Sequence, residues 1–123
     1  MATLTTKITL TSSDLLTDAL NLAVTDSLSV LGATVQKTVV TSGTAAVFLT
    51  ASGFSDAYVF LMNKSTDAAE IIHIRSDATG SADIMSLGAE EFAFFPWSSD
   101  EDLAYDAASG SPVLEVLVFQ KVA

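Results

Sequence analysis

The sequence predicts an all-β protein, an antiparallel β-sandwich or jelly roll of about 8–10 short strands. Three observations point there. Runs rich in Val, Ile, Thr and Phe recur along the chain, bounded by Gly, Pro, Asn, Asp or Ser. Several of these runs alternate apolar and polar residues with period two, which sends one row of side chains to each face of a strand. No segment keeps a helical period for long.

At 123 residues the chain fits one domain, 1–123, with room for one core. Composition shifts near residue 50. Twelve threonines precede it and two follow, whereas nine of the ten aromatics follow it. Residues 1–33 are therefore the lighter part, an N-terminal arm or edge-strand region, and the heavy core lies beyond.

The elements follow in order. Thr3 to Leu10 alternates, with Leu4, Ile8 and Leu10 on one side and Thr5, Lys7 and Thr9 on the other. Leu20, Leu22, Val24, Leu28 and Val30 hold period two, so an extended run is expected from Leu20 to Val30, bent near Thr25–Asp26. Leu15, Leu16, Ala19 and Leu20 also match helical spacing, which leaves a short helix at 14–19 as an alternative. Val35–Thr41 and Ala45–Leu49 are β-prone runs separated by the Ser42–Gly43 turn signal. Ala57 to Asn63 is apolar in both phases, as in a strand covered on both faces. Ala69 to Arg75 places Ile72 and Ile74 inward and His73 and Arg75 outward. Ser76 to Asp83 reads as a loop. Ile84–Met85 is a short strand and Leu87–Gly88 a turn.

"EFAFFPWSSDED" then sets aromatics against carboxylates. Phe92 and Phe94 are assigned to the core row of a strand. Phe95 and Trp97, on the other row, are assigned to a contact. Pro96 lacks an N–H and is expected to stop the ladder. In the last strand, Leu114, Val116 and Val118 form the inner row. The opposite row, Val113, Glu115, Leu117 and Phe119, is too apolar for open water and reads as contact surface.

Chemistry is sparse. The chain has no cysteine, which removes disulfides, thiolate nucleophiles and thiolate metal sites. No secretory leader pattern and no membrane-length apolar run occur, so no membrane partner is expected. Fifteen acidic residues against five basic ones give a net charge of −10, which repels phosphate backbones and argues against nucleic acid. The acidic run Asp100–Glu101–Asp102 with Asp106 lacks the spacing of a calcium loop and reads as solvated. Asp77, Thr79 and Asp83 around Gly80 form a second weak oxygen cluster, read as hairpin loop. His73 is the single histidine and has no thiolate or second imidazole to share a metal. Serines and aspartates are numerous, but none of the serines sits in a Gly-x-Ser-x-Gly elbow. Adjacent Glu90 and Glu91 point to opposite faces of a strand and do not form an acid–base pair. The expectation is a non-enzyme with no catalytic residues, no cofactor and no metal. Half the residues are hydrophobic and only 16% charged, against about 25% in an average soluble domain. That surplus of apolar side chains points to burial against a neighbouring subunit.

Three stretches carry a family resemblance: "MATLTTKITLTSSDLLTDALNLAVTDSLSV", "AYVFLMNKSTDAAEIIHI" and "LGAEEFAFFPWSSDEDLAYDAASGSPVLEVLVFQ". The chain resembles small virion structural proteins of tailed bacteriophages, especially marine and cyanobacterial phages. In such proteins the middle is an aromatic strand ending in an Asn-x-Ser/Thr turn. The closing part has a Leu-x-x-Gly-Glu-like turn, an aromatic strand ending in proline, a loop and a last strand with one acid. Here Glu90 or Glu91 sits one or two residues late, and Gly-Ala replaces Pro-Gly. The resemblance implies a capsid decoration (cement) protein, commonly a homotrimer clamping the major capsid protein or another virion protein. The alternatives are a small tail or fibre-associated subunit and a glycan- or receptor-binding module. It also implies location in the virion after synthesis in the host cytoplasm. The expected interface residues are Phe95, Trp97, Val113, Leu117 and Phe119.

Overall fold

A computed structural model of the chain describes residues 2–14, 20–77 and 82–122, with the backbone alone for residues 32–34. The fold is all-β, and every pairing whose register is described is antiparallel. The strands are β1 (Ala2–Ser12), β2 (Leu20–Val40), β3 (Ala46–Leu49), β4 (Ala57–Asn63), β5 (Ile72–Arg75), β6 (Asp83–Leu87), β7 (Phe92–Trp97), β8 (Leu103–Ala107) and β9 (Val113–Lys121). They form two compact units, with the boundary at Gly32/Ala33.

The first unit is the hairpin of β1 with the first part of β2. Their register runs unbroken from Ala2↔Val30 to Ser12↔Leu20. Direct opposition of Leu4 with Leu28, Ile8 with Val24 and Leu10 with Leu22 gathers the branched side chains on one face. The bend expected at Thr25–Asp26 does not occur. Asp26 lies opposite Thr6 and β2 continues to Val40, because a polar pair on an exposed hairpin leaves the ladder intact. The alternative helix at 14–19 falls mostly outside the described residues.

The second unit, Ala33–Lys121, packs two sheets. One has the order β2-β9-β4-β7 and the other β3-β8-β5-β6. The pairings are nested: β5 with β6, β4 with β7, β3 with β8 and β2 with β9. One long antiparallel ribbon has thus been wrapped on itself, bringing β4 against β9 and β5 against β8. This is the winding of a jelly roll.

Aliphatic rows fill the space between the sheets. Val59, Leu61, Ile72, Ile74, Leu114 and Val116 are fully buried, with Val118, Leu49 and Leu103 beside them. The inner row assigned to the last strand is therefore correct. Polar stitches close the roll. Thr41 donates through both N–H and Oγ1 to the Pro112 carbonyl, at 3.1 and 2.6 Å. The Asn63 amide, wholly buried at the end of β4, donates to the carbonyls of Glu70 (2.8 Å) and Leu87 (3.0 Å). Its Oδ1 accepts the Ser65 N–H at 3.0 Å. Asn63 thereby links a strand of one sheet to the margins of two strands in the other.

Several boundaries differ from the sequence expectation. β8 was hidden among carboxylates, and β5 is shorter than Ala69–Arg75. β7 runs through Pro96, which pairs opposite Tyr58. β7 is the outermost strand of its sheet, and an edge strand tolerates a residue without an N–H.

Candidate functional site

The outward face of β9, β4 and β7 holds most of the exposed aromatic surface described. Register sets it out in three rows. Phe119, Tyr58 and Pro96 form the first, Leu117, Phe60 and Phe94 the second, and Glu115, Met62 and Phe92 the third. Tyr58 and Phe94 stack with ring centroids 5.9 Å apart, and Phe60 and Phe92 at 6.1 Å. Each ring supports its neighbour in the next strand, as offset aromatic pairs do. Phe92 is nonetheless 65% exposed, and the other rings are only half-buried. Two cations border the patch. Lys121 Nζ lies 4.9 Å from the Tyr58 ring centre, and Lys64 pairs with Glu115 at 3.4 Å. Such a face offers apolar contact and ring surface.

The expected interface residues divide. Val113, Leu117 and Phe119 lie on the outward row of β9, and Leu117 and Phe119 belong to this patch. Phe95 and Trp97 do not. Their row faces the core, where Trp97 is 6% exposed and Phe95 packs alongside. The two rows of β7 were assigned the wrong way round. The physical reason lies in what each row meets. Trp97 packs against Phe54 with the rings tilted and their centroids 5.6 Å apart, and its indole N–H donates to the Glu101 carbonyl at 3.2 Å. The indole is thereby both packed and satisfied. Phe92 and Phe94 find their partners on the outer face of β4. The face of β4 that carries Val59 and Leu61 is buried in the core, whereas Tyr58 and Phe60 on its other face are part-exposed and meet the rings of Phe94 and Phe92.

The acidic loop beside Trp97 is a clamp. Asp102 accepts the Ala51 N–H at 2.7 Å, and Ser99 Oγ donates to the Phe54 carbonyl at 3.2 Å. Asp106 is drawn away to Arg75, 2.8 Å distant. Among the described residues no three metal-binding side chains converge. Thr79 and Gly80 of the second oxygen cluster lie outside the described residues.

On the outer face of the other sheet, the structure does bring Ser86, His73 and Asp83 together. Ser86 Oγ is 2.8 Å from His73 Nδ1, and Asp83 Oδ2 is 3.4 Å from the same nitrogen. A nucleophile–base–carboxylate relay needs the serine and the carboxylate on opposite ring nitrogens. This arrangement has them competing for one. Asp83 is instead held by Arg75, whose Nε donates at 2.5 Å and whose hydrogen bond and charge keep the carboxyl below its ordinary range. The cluster is an exposed ion network at the β5–β6–β8 face.

No protein-family model, no curated protein and no solved structure matches the chain.

Proposed function

We propose that this chain is a structural protein of a tailed-bacteriophage virion, a capsid decoration protein that stabilises the shell by adhesion and performs no catalysis. The observation that carries the reading is the outward β9-β4-β7 face. Tyr58, Phe60, Phe92, Phe94, Leu117 and Phe119 offer a continuous apolar contact on a rigid sheet. Large patches of this kind on soluble proteins mark interaction sites. Repetition of the contact on a symmetric lattice would hold a shell by avidity even where each contact is weak. The resemblance in the three quoted stretches supports the choice of a virion as the assembly. The jelly-roll winding supports it by analogy only, since viral capsid and lectin domains share that architecture. In this reading the partner is the major capsid protein, sister copies complete an oligomer, and the acidic loops keep the outward surface soluble.

A glycan-binding role would have rested on an exposed Trp97 and Phe95, and burial of the indole removes that platform. The test is location. Antibody against the chain, applied to purified phage particles, should place gold label over the head. Label on the tail would replace the decoration role with the tail-subunit one. Absence of the chain from particles would overturn the virion reading.

A further inference from the structure

We propose that β6 is a hinged strap, docked at Leu87 and latched at Asp83 by Arg75, so that breaking the latch frees its first half while its end stays in place. The strand is outermost in its sheet and pairs with β5 alone. Its residues are held unequally. Leu87, at the end, is buried in the core, and its carbonyl accepts the Asn63 amide at 3.0 Å. Met85 packs against the core from a part-exposed position. The register then passes from Ile74↔Met85 to Arg75↔Asp83, which leaves Ile84 as the extra residue of a bulge. Ile84 is 59% exposed, and Asp83 is exposed as well. Apolar burial therefore fades from the end of the strand to its start, and the ladder is interrupted where burial is least.

Charge holds that start. Arg75 on β5 reaches both neighbouring strands. Its Nε donates to Asp83 Oδ1 at 2.5 Å, and its Nη2 lies 2.8 Å from Asp106 Oδ2 on β8. A guanidinium presents several donors in one plane and can serve two carboxylates at once. The same bond keeps the Asp83 carboxyl below its ordinary range. His73 adds weaker contacts from β5, with Nδ1 3.4 Å from Asp83 Oδ2 and 2.8 Å from Ser86 Oγ. The charge of Asp77 also acts on Arg75. Without the guanidinium, Asp77, Asp83 and Asp106 are like charges around one site, and no buried apolar side chain retains Asp83 or Ile84. Leu87 and its bond to Asn63 still anchor the other end. Release therefore opens part of the strand and uncovers part of the β5 ladder, a local opening below the global one. This holds whether or not the chain belongs to a virion.

The absence of native cysteine permits a thiol-labelling test on the purified chain. Met85→Cys reports the latched half and Leu87→Cys the hinge. Adding Arg75→Gln should speed labelling of Met85→Cys by about threefold or more, in line with the worth of a partly exposed ion pair. Labelling of Leu87→Cys should stay unchanged. High salt should speed Met85→Cys labelling in the chain that keeps Arg75, because these charges are open to screening. Asp83→Asn, which removes one charge and leaves Arg75 on Asp106, provides a milder second variant, and Trp97 emission checks that the core remains folded. Equal acceleration at positions 85 and 87 would overturn the proposal, because β6 would then have no hinge. Unchanged labelling of Met85→Cys in Arg75→Gln, in Asp83→Asn and in high salt would overturn it as well, because Arg75 would then be no latch.

Discussion

Replacing Asn63 probes the stitch that holds the roll closed. The side chain has no exposure and makes three hydrogen bonds, two donated and one accepted. Asn63→Ala removes all three and takes a donor from the part-buried Glu70 carbonyl and the buried Leu87 carbonyl. A buried polar group left without a partner costs about 1–3 kcal/mol. Two carbonyls, partly relieved by water entering the vacated space, give a loss of about 3 kcal/mol. With a urea slope of about 1.5 kcal/mol/M, the unfolding midpoint should fall by about 2 M. Trp97 fluorescence reports the transition. Asn63→Asp sharpens the test. It keeps one acceptor for Ser65 but points a second oxygen at two carbonyls, and it buries a charge. Burial raises the folded-state pKa of the new carboxyl above its unfolded value of about 3.9. Such a group penalises folding at pH values above its unfolded pKa. The penalty shrinks as pH falls from the folded pKa towards the unfolded one. Relative to the wild type, Asn63→Asp should therefore be least stable at pH 7 and recover on acidification towards pH 4. A loss below about 1 kcal/mol for Asn63→Ala, or an Asn63→Asp penalty independent of pH, would refute the reasoning.

Other changes test other parts of the account. Trp97→Ala should cost about 3–5 kcal/mol in folding stability by circular dichroism, whereas Phe92→Ala on the outer face should cost under about 1 kcal/mol. Equal costs would mean that the rows of β7 are not inner and outer. Asp83, held low by Arg75, contributes to stability above the ordinary carboxylate pKa. That contribution is lost as pH falls through its depressed value, so Asp83→Asn should flatten the acid side of a melting-temperature profile. Glu90 adopts φ 62° in the turn before β7, so Glu90→Gly should raise stability by up to about 1 kcal/mol. Gly110 has φ 63°, and a Cβ there would sit 2.8 Å from the Glu70 carboxylate. Gly110→Ala should therefore lower stability by at least about 1 kcal/mol.

The all-β fold was legible because period two survives in β1, β5 and β9. In β5 and β9 a clean aliphatic row names the buried side, as Leu114, Val116 and Val118 show. β7 was harder because both rows are aromatic. Phe92 and Phe94 look like core when the strand is read alone. Only the neighbours decide, since Phe54 and the Glu101 carbonyl claim Trp97 while Tyr58 and Phe60 stack on the other row. Those partners lie from four to 43 residues away along the chain, beyond any local pattern. β8 was missed because Asp100–Glu101–Asp102 precedes it and Asp106 lies within it. Its alternation of Leu103, Tyr105 and Ala107 was present but short. The adhesive face was half legible. Leu117 and Phe119 betrayed it from the last strand, but its centre is an assembly of three strands that are distant in sequence.

The central claim is that the outward β9-β4-β7 face is where this chain adheres. Hydroxyl-radical footprinting of the free chain and of the chain in purified virions tests it most directly, read at Met62, Phe92, Phe94 and Phe119. The account predicts that all four are modified in the free chain and protected in the particle, while Ile84, exposed on the other sheet, stays reactive. If those four positions react equally in both states, adhesion through this face is contradicted.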